Sequence, residues 1–150
     1  MISLCDEIGP GLSGIEQLRA MIDSGRRPGI GESLDFQLVE VGEGTAAFEG
    51  VPGQHAYNPI GTIHGGYAAT LLDSALGCAV HSRLTATQGY ATLELKVSYH
   101  RRMTTDTGLV RAEATLLSFG RRAAFAQATL TDAAGTLYAT ATSTLLVFER

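Results

Sequence analysis

The sequence predicts an α+β domain in which an antiparallel six-stranded sheet wraps around one long central helix, with a short helix before it. Three observations predict this arrangement: one long apolar segment of helical length, six shorter segments with alternating polarity, and glycine-rich or proline-rich breaks between them. A helix that is apolar on almost every side must be buried. A single sheet can bury such a helix only by curling around it.

The first 30 residues are predicted to form a helical extension, and residues 31–150 the main domain. Apolar residues recur at helical spacing in the extension, at Ile15, Leu18 and Ile22. Ser13 and the Ser24-Gly25 pair are candidate ends of this helix. The breaker-rich stretch 25–31, GRRPGIG, predicts a loop.

Six strands and one long helix follow in the prediction. The helix is expected between residues 64 and 83, after an irregular loop over residues 50–62. The strands are expected at about 34–38, 45–49, 89–100, 107–118, 121–131 and 136–148. Such a sheet has two open edges, and pairing of edges across a two-fold axis is one way to protect them.

Composition excludes several classes of protein. The chain of 150 residues has a net charge of −4, which argues against a general nucleic-acid binder. The apolar segment 63–80 contains an aspartate, glycines and a histidine, so we expect no membrane span. The two cysteines, Cys5 and Cys78, have no disulfide or zinc-ligand spacing. We therefore expect no metal site and a reducing, cytoplasmic setting.

Asp73 is the residue of the long helix that most needs an explanation. It lies in the middle of an apolar run, where a carboxylate is costly unless it is paired or faces a polar cavity. A local hydrogen bond or a cap is the structural alternative. The position favours an acid, base or nucleophile.

The segment Asn58 to Gly66, NPIGTIHGG, leads into this helix. Gly65 and Gly66 fall where the first N–H groups of the helix have no partner, and glycine allows a ligand oxygen to approach them. The helix dipole adds to this attraction, so the turn is a candidate oxyanion or phosphate site, or simply a tight turn. Asn58 could reach the same site or hold the loop as an Asx-turn, and His64 could orient the loop or contact substrate.

The spacing between these two features predicts an assembly. Asp73 follows Gly65 by eight residues, which is roughly 12 Å along a helix axis. One carbonyl group cannot be within hydrogen-bond reach of both residues in the same helix. Either the two features have unrelated roles, or Gly65 of one subunit faces Asp73 of another.

The pattern Asn58-x5-His64-Gly65-Gly66-x6-Asp73, with this order of elements, resembles the hotdog-fold acyl-CoA thioesterases of the PaaI and 4-hydroxybenzoyl-CoA type. The resemblance extends over about residues 32–148 and implies a hotdog fold. It implies hydrolysis of an aryl- or medium-chain acyl-CoA to a free acid and coenzyme A, with no cofactor. It also implies a homodimer with shared active sites, and we expect two such dimers to form a tetramer.

The resemblance also implies roles for particular residues. Gly65, with Gly66, would bind the thioester carbonyl, Asn58 and His64 would line the pocket, and Asp73 of the neighbouring subunit would be the general base or nucleophile. Thr92 matches a residue that positions the water or carboxylate, although packing of its methyl group is an equal alternative. Candidate partners of the coenzyme A phosphates are Arg101, Arg102, Arg121 and Arg122.

Two other functions are compatible with the same fold. A hotdog hydratase or dehydratase would pair a catalytic histidine with an acid on a different element. A non-catalytic module that binds acyl-CoA would tolerate loss of Asp73 and usually carries a DNA-binding segment. The sequence does not identify the acyl group; Tyr57, Tyr67 and Leu71 are candidates for its pocket.

Overall fold

The computed structural model describes residues 1–150 and contains four α-helices and six β-strands. The helices are α1 (Leu4–Ile8), α2 (Gly14–Ser24), α3 (Gly29–Leu34) and α4 (Gly65–His81). The strands are β1 (Phe36–Gly42), β2 (Thr45–Gly50), β3 (Gln88–Tyr99), β4 (Val110–Phe119), β5 (Ala123–Asp132) and β6 (Leu137–Glu149). Two 3₁₀ helices, Gln54–Ala56 and Thr105–Thr107, lie in loops. None of the helices combines the length and apolarity that crossing a bilayer requires.

The six strands form one antiparallel sheet in the order β1-β2-β4-β5-β6-β3. The sheet curls around α4, which contacts every strand. Six side chains of α4 are completely inaccessible to solvent: Leu71, Leu72, Ala75, Leu76, Ala79 and Val80. Burial of these side chains against the sheet is the main source of stability, because each large aliphatic side chain contributes about 1.5–3 kcal/mol. The predicted fold is confirmed.

The N-terminal extension differs from the prediction, because it contains three helices instead of one. α2 has the predicted ends: Ser13 forms a capping box with Glu16, and Gly25 ends the helix in the left-handed conformation. The predicted loop over 25–31 is present over residues 25–28 but was wrong for 29–31, since α3 begins at Gly29. Leu34 belongs to α3 and not to the first strand. Short helices of five or six residues show too few turns for a periodic pattern.

The long helix also differs from the prediction in one respect that matters for function. The sheet does not cover α4 on every side, and a stripe of partly buried residues remains at helical spacing. The stripe consists of Thr70, Asp73, Ser74, Cys78 and His81. Four of these five residues, all except Thr70, line one cavity.

The N-terminal helices are attached to the end of α4 through a buried polar contact. The Gln17 amide nitrogen donates to the Gly9 carbonyl (3.2 Å), so its oxygen is oriented toward His81 Nε2, 3.0 Å away. His81 therefore carries its proton on Nε2 and donates to Gln17. Burial lowers the pKa of His81 to about 4, so the ring is neutral at pH 7.

We predict that the free energy of unfolding falls as the pH is lowered from about 6.5 to about 4, because His81 is protonated in this range only in the unfolded chain. Urea unfolding at pH values across this range measures the effect. The contributions of the carboxylates whose pKa values the fold lowers, such as that of Asp6, are lost at lower pH. The His81→Gln variant should show a smaller pH dependence in this range; an unchanged dependence would contradict the assignment.

Candidate functional site

Asp73 lies midway along α4 on the stripe that the sheet leaves uncovered. Its Oδ1 accepts a hydrogen bond of 3.0 Å from the Thr92 hydroxyl on β3. A carboxylate oxygen has more than one acceptor site, so this bond orients the group and leaves its other oxygen free for a ligand. Thr92 thus makes a polar contact in addition to its place in the strand, and the contact holds the carboxylate toward a cavity.

The start of α4 leaves one free backbone donor. His64 is the N-cap of the helix, and its Nδ1 accepts the Gly66 N–H at 2.8 Å. The N–H of Gly65, the first residue of the helix, has no acceptor within the chain. The carbonyl of Gly65 is engaged, because it accepts the Tyr99 hydroxyl at 2.7 Å. The predicted site at the two glycines therefore narrows to the single N–H of Gly65.

Asn58 is engaged within its own loop. Its Oδ1 accepts the N–H groups of Ile60 and Thr62, both at 3.1 Å. Its Nδ2 donates to the Thr62 hydroxyl at 2.8 Å. This is the Asx-turn, the structural alternative that the sequence offered. Within one chain Asn58 shapes the loop that leads to His64.

Gly65 opens into a cleft of about 350 Å³. Its walls include Tyr99, the last residue of β3, and Arg101, Arg102 and Met103, which follow the strand. Both arginine side chains are exposed and available for an anionic group. The structure therefore brings two of the four candidate arginines to the free N–H of Gly65.

The other two arginines, Arg121 and Arg122, lie elsewhere in the chain. They are exposed in the turn between β4 and β5. The next residue, Ala123, pairs with Leu146, which in turn pairs with Ala91 near the start of β3. Arg121 and Arg122 are thus near the opposite end of β3 from the Gly65 cleft.

The cavity at Asp73 is a separate space of about 280 Å³. No residue that lines the Gly65 cleft also lines this cavity. Thr92 and Tyr90 of β3 form one wall, and residues of α1, α2 and α3 form much of the rest. The sequence assigned no role in the site to the extension, because only the folded chain places these short helices against α4.

Two partly buried side chains that line the cavity resist ionisation. Burial raises the pKa of the Cys78 thiol to about 12, so this cysteine is not a nucleophile at neutral pH. Burial also raises the pKa of the Tyr90 phenol, which lies against the backbone at Gly77. A side chain at position 77 would collide with the Tyr90 hydroxyl, because a Cβ there would be only 2.6 Å from it.

The suggested acyl-pocket residues do not line either space. Tyr67 and Leu71 are buried in the core, at 2% and 0% exposure. Tyr57 contacts Thr105 through its hydroxyl. The residues that do surround Asp73 were missed, because their sequence positions are distant from it and from one another. No three side chains of His, Cys, Asp or Glu are grouped as metal ligands.

One family model and a set of solved structures match this chain. The family model described as Thioesterase superfamily matches residues 60–139, more than half of the chain, and includes Gly65, Asp73 and Thr92. No protein among the curated sequences matches significantly.

Several solved structures have the same fold. Conserved protein PA5202 of Pseudomonas aeruginosa is 28% identical, with a TM-score of 0.76 over 81% of this chain and 95% of its own. A mutant of the phenylacetic acid degradation protein PaaI of Thermus thermophilus is 26% identical, with a TM-score of 0.72 over 79% of this chain and 98% of its own. A phenylacetic acid degradation-related protein of Ralstonia eutropha is 26% identical, with a TM-score of 0.77 over 86% and 98%. The chain therefore belongs to the Thioesterase superfamily and is a thioester hydrolase with a hotdog fold of the PaaI type.

Proposed function

We propose that this protein hydrolyses acyl-CoA thioesters at a site formed by Asp73 of one subunit and Gly65 of another. The observation that carries the proposal is the contact between Asp73 and Thr92, which aims the only carboxylate of α4 into a cavity. Asp73 either accepts a proton from the attacking water or attacks the carbonyl itself. Thr92 is the residue that holds it in position.

The free N–H of Gly65 supports the proposal as well, because the same reaction needs a donor for the carbonyl oxygen. Thioester hydrolysis develops negative charge on the carbonyl oxygen, and a fixed N–H at a helix N-terminus stabilises that charge. One donor of this kind contributes about 3–4 kcal/mol to transition-state binding. The leaving thiolate is a weak base, so the reaction needs neither a general-acid histidine nor a metal ion.

Gly65 and Asp73 are too far apart within one chain to act on the same carbonyl group. Eight residues of helix separate Gly65 from Asp73, which corresponds to roughly 12 Å. They also open into different spaces, as described above. We therefore assign the two halves of each site to two subunits.

The strand β3 offers the surface for this association. It is an edge strand of the sheet and pairs with β6 only. Its side chains Leu93 and Tyr99 are 59% and 55% exposed, and a strand of 12 residues with an open edge favours pairing with another strand. Because a two-fold axis reverses the partner strand, the Thr92 end of one β3 would lie beside the Tyr99 end of the other.

This arrangement would bring together the carboxylate and the N–H donor that are separated within one chain. Asp73 contacts β3 at Thr92, whereas Gly65 contacts it at Tyr99. Reversal of the strand would place Asp73 of one subunit near the Gly65 cleft of its partner. Arg121 and Arg122, near the start of β3, would approach the partner's Arg101 and Arg102, which gives four cations for the coenzyme A phosphates.

We predict that Asp73→Asn lowers kcat for acyl-CoA hydrolysis by roughly 10²–10⁴-fold. The amide keeps an oxygen for the Thr92 hydroxyl, so the fold and the assembly should be unchanged. Release of free thiol from a panel of aryl- and medium-chain acyl-CoAs measures the rate. Asp23→Asn, at an exposed position of α2, is the control and should retain full activity. Undiminished turnover by Asp73→Asn would contradict the proposal.

We predict that Gly65→Pro lowers kcat by roughly 10²–10³-fold, because it removes the N–H that stabilises the oxyanion. Proline is favoured at the first position of a helix, so α4 should form normally. Gly65→Ala is the matched control: it places the same Cβ 3.1 Å from the Tyr99 ring but retains the N–H. Equal losses in the two variants would show that crowding at Tyr99, and not the missing donor, is responsible.

We predict that mixing the two inactive variants restores activity. Subunits with Asp73→Asn and subunits with Gly65→Pro are unfolded together and refolded in equal amounts. A mixed dimer then has one site with both functional residues, so the mixture should reach about a quarter of the wild-type activity. The control is each variant refolded alone. A mixture no more active than the separate variants would place each complete site within one subunit.

A further inference from the structure

Half of the residues that line the cavity at Asp73 belong to the N-terminal extension. Leu4 and Cys5 of α1, Met21 of α2 and Ile30 of α3 are among them. The polar groups of Asp73 and Thr92 line the same cavity. A thioester carbonyl at Asp73 would therefore direct its acyl group toward these helices.

The extension is a fixed wall, because several contacts hold it to the rest of the domain. Arg150 at the chain end makes two hydrogen bonds to the Asp6 carboxylate, at 2.9 and 3.2 Å. The Gly14 N–H donates to the Leu84 carbonyl at 3.0 Å. A side chain at position 14 is excluded, since its Cβ would be 1.9 Å from the His81 carbonyl oxygen. Glycine at this position lets α2 pack directly on the end of α4.

The size of the cavity indicates which part of the substrate it holds. Its volume of about 280 Å³ is just below the roughly 300–1,000 Å³ of pockets for drug-sized ligands. It is therefore suited to the acyl group alone, with coenzyme A outside. No lysine or arginine lines it, and His81 is neutral at pH 7. A second carboxylate on the acyl group would find no cationic partner there and would face Asp73.

We infer that the N-terminal helices select the acyl group, admitting uncharged, apolar groups of medium size and rejecting longer chains and dicarboxylic acyl groups. The inference rests on the proposed function and assigns Leu4, Met21 and Ile30 as residues that determine specificity. The solved relatives are matched over 95–98% of their own lengths but over only 79–86% of this chain. A part of this chain therefore has no counterpart in these three structures.

The test compares substrate profiles of the full-length protein. Hydrolysis of acetyl-, butyryl-, hexanoyl-, octanoyl-, decanoyl-, phenylacetyl- and succinyl-CoA is measured as kcat/KM. Ile30→Trp fills the cavity from an exposed position, whereas Leu4→Ala enlarges it. Val51→Trp is the matched control, because Val51 is also an aliphatic residue with the same 52% exposure as Ile30 and does not line the cavity.

The preference for long acyl groups is expressed as kcat/KM for the longest acyl-CoA that the wild type hydrolyses efficiently, divided by kcat/KM for acetyl-CoA. Ile30→Trp should lower this ratio by roughly tenfold or more. Leu4→Ala should move the optimum to a longer acyl chain, whereas Val51→Trp should retain the wild-type profile. Succinyl-CoA should be a poor substrate for the wild type and for all three variants. Wild-type turnover with profiles unchanged in both cavity variants would overturn this inference alone. Absence of turnover on every acyl-CoA would overturn the proposed function and this inference with it.

Discussion

One antiparallel sheet can cover only part of the surface of α4, and the stripe that it leaves uncovered carries the chemistry. The covered face is made of leucine, alanine and valine side chains with no exposure, and their burial fixes the position of the helix. A helix held in this way cannot rotate to relieve a misplaced polar group. Asp73 is consequently held at one angle to β3, where the Thr92 hydroxyl meets it.

The same rigid helix provides both electrostatic elements of the site, but at different points along its length. Its first N–H groups carry partial positive charge, while the carboxylate lies about two turns further along. A substrate carbonyl needs both elements within a few ångströms. The contacts of Gly65 with Tyr99 and of Asp73 with Thr92 connect these two points to opposite ends of one edge strand. A two-fold axis at that strand is the simplest operation that brings them together.

Much of the fold could be predicted from the sequence because its signals are local. The apolar run of α4, the alternation in the strands and the ends of α2 at Ser13 and Gly25 each depend on neighbouring residues. Asp73 could be singled out for the same reason, as a charge within an apolar run. For Asn58 the sequence allowed either a contact with the site or an Asx-turn, and the observed hydrogen bonds correspond to the Asx-turn.

What the sequence could not supply depends on contacts between distant residues. The partner of Asp73, Thr92, is 19 residues away on another element. Only the family resemblance pointed to it, and packing of its methyl group was an equal alternative. The sequence motif does not distinguish Gly65 from Gly66 as a donor. In the structure His64 accepts the Gly66 N–H, so only the Gly65 N–H is free to bind a ligand. The helices α1 and α3 are too short to show a period, and their role as a wall of the Asp73 cavity exists only after they pack on α4.

A crystal structure of the protein with a non-hydrolysable acyl-CoA analogue would test the shared site most directly. The account predicts that the analogue's carbonyl oxygen accepts the Gly65 N–H of one subunit, at about 2.7–3.1 Å. The carboxylate that faces the same carbonyl carbon should be Asp73 of the other subunit. An analogue bound with its carbonyl at Gly65 and no Asp73 carboxylate of a second chain beside it would contradict the account.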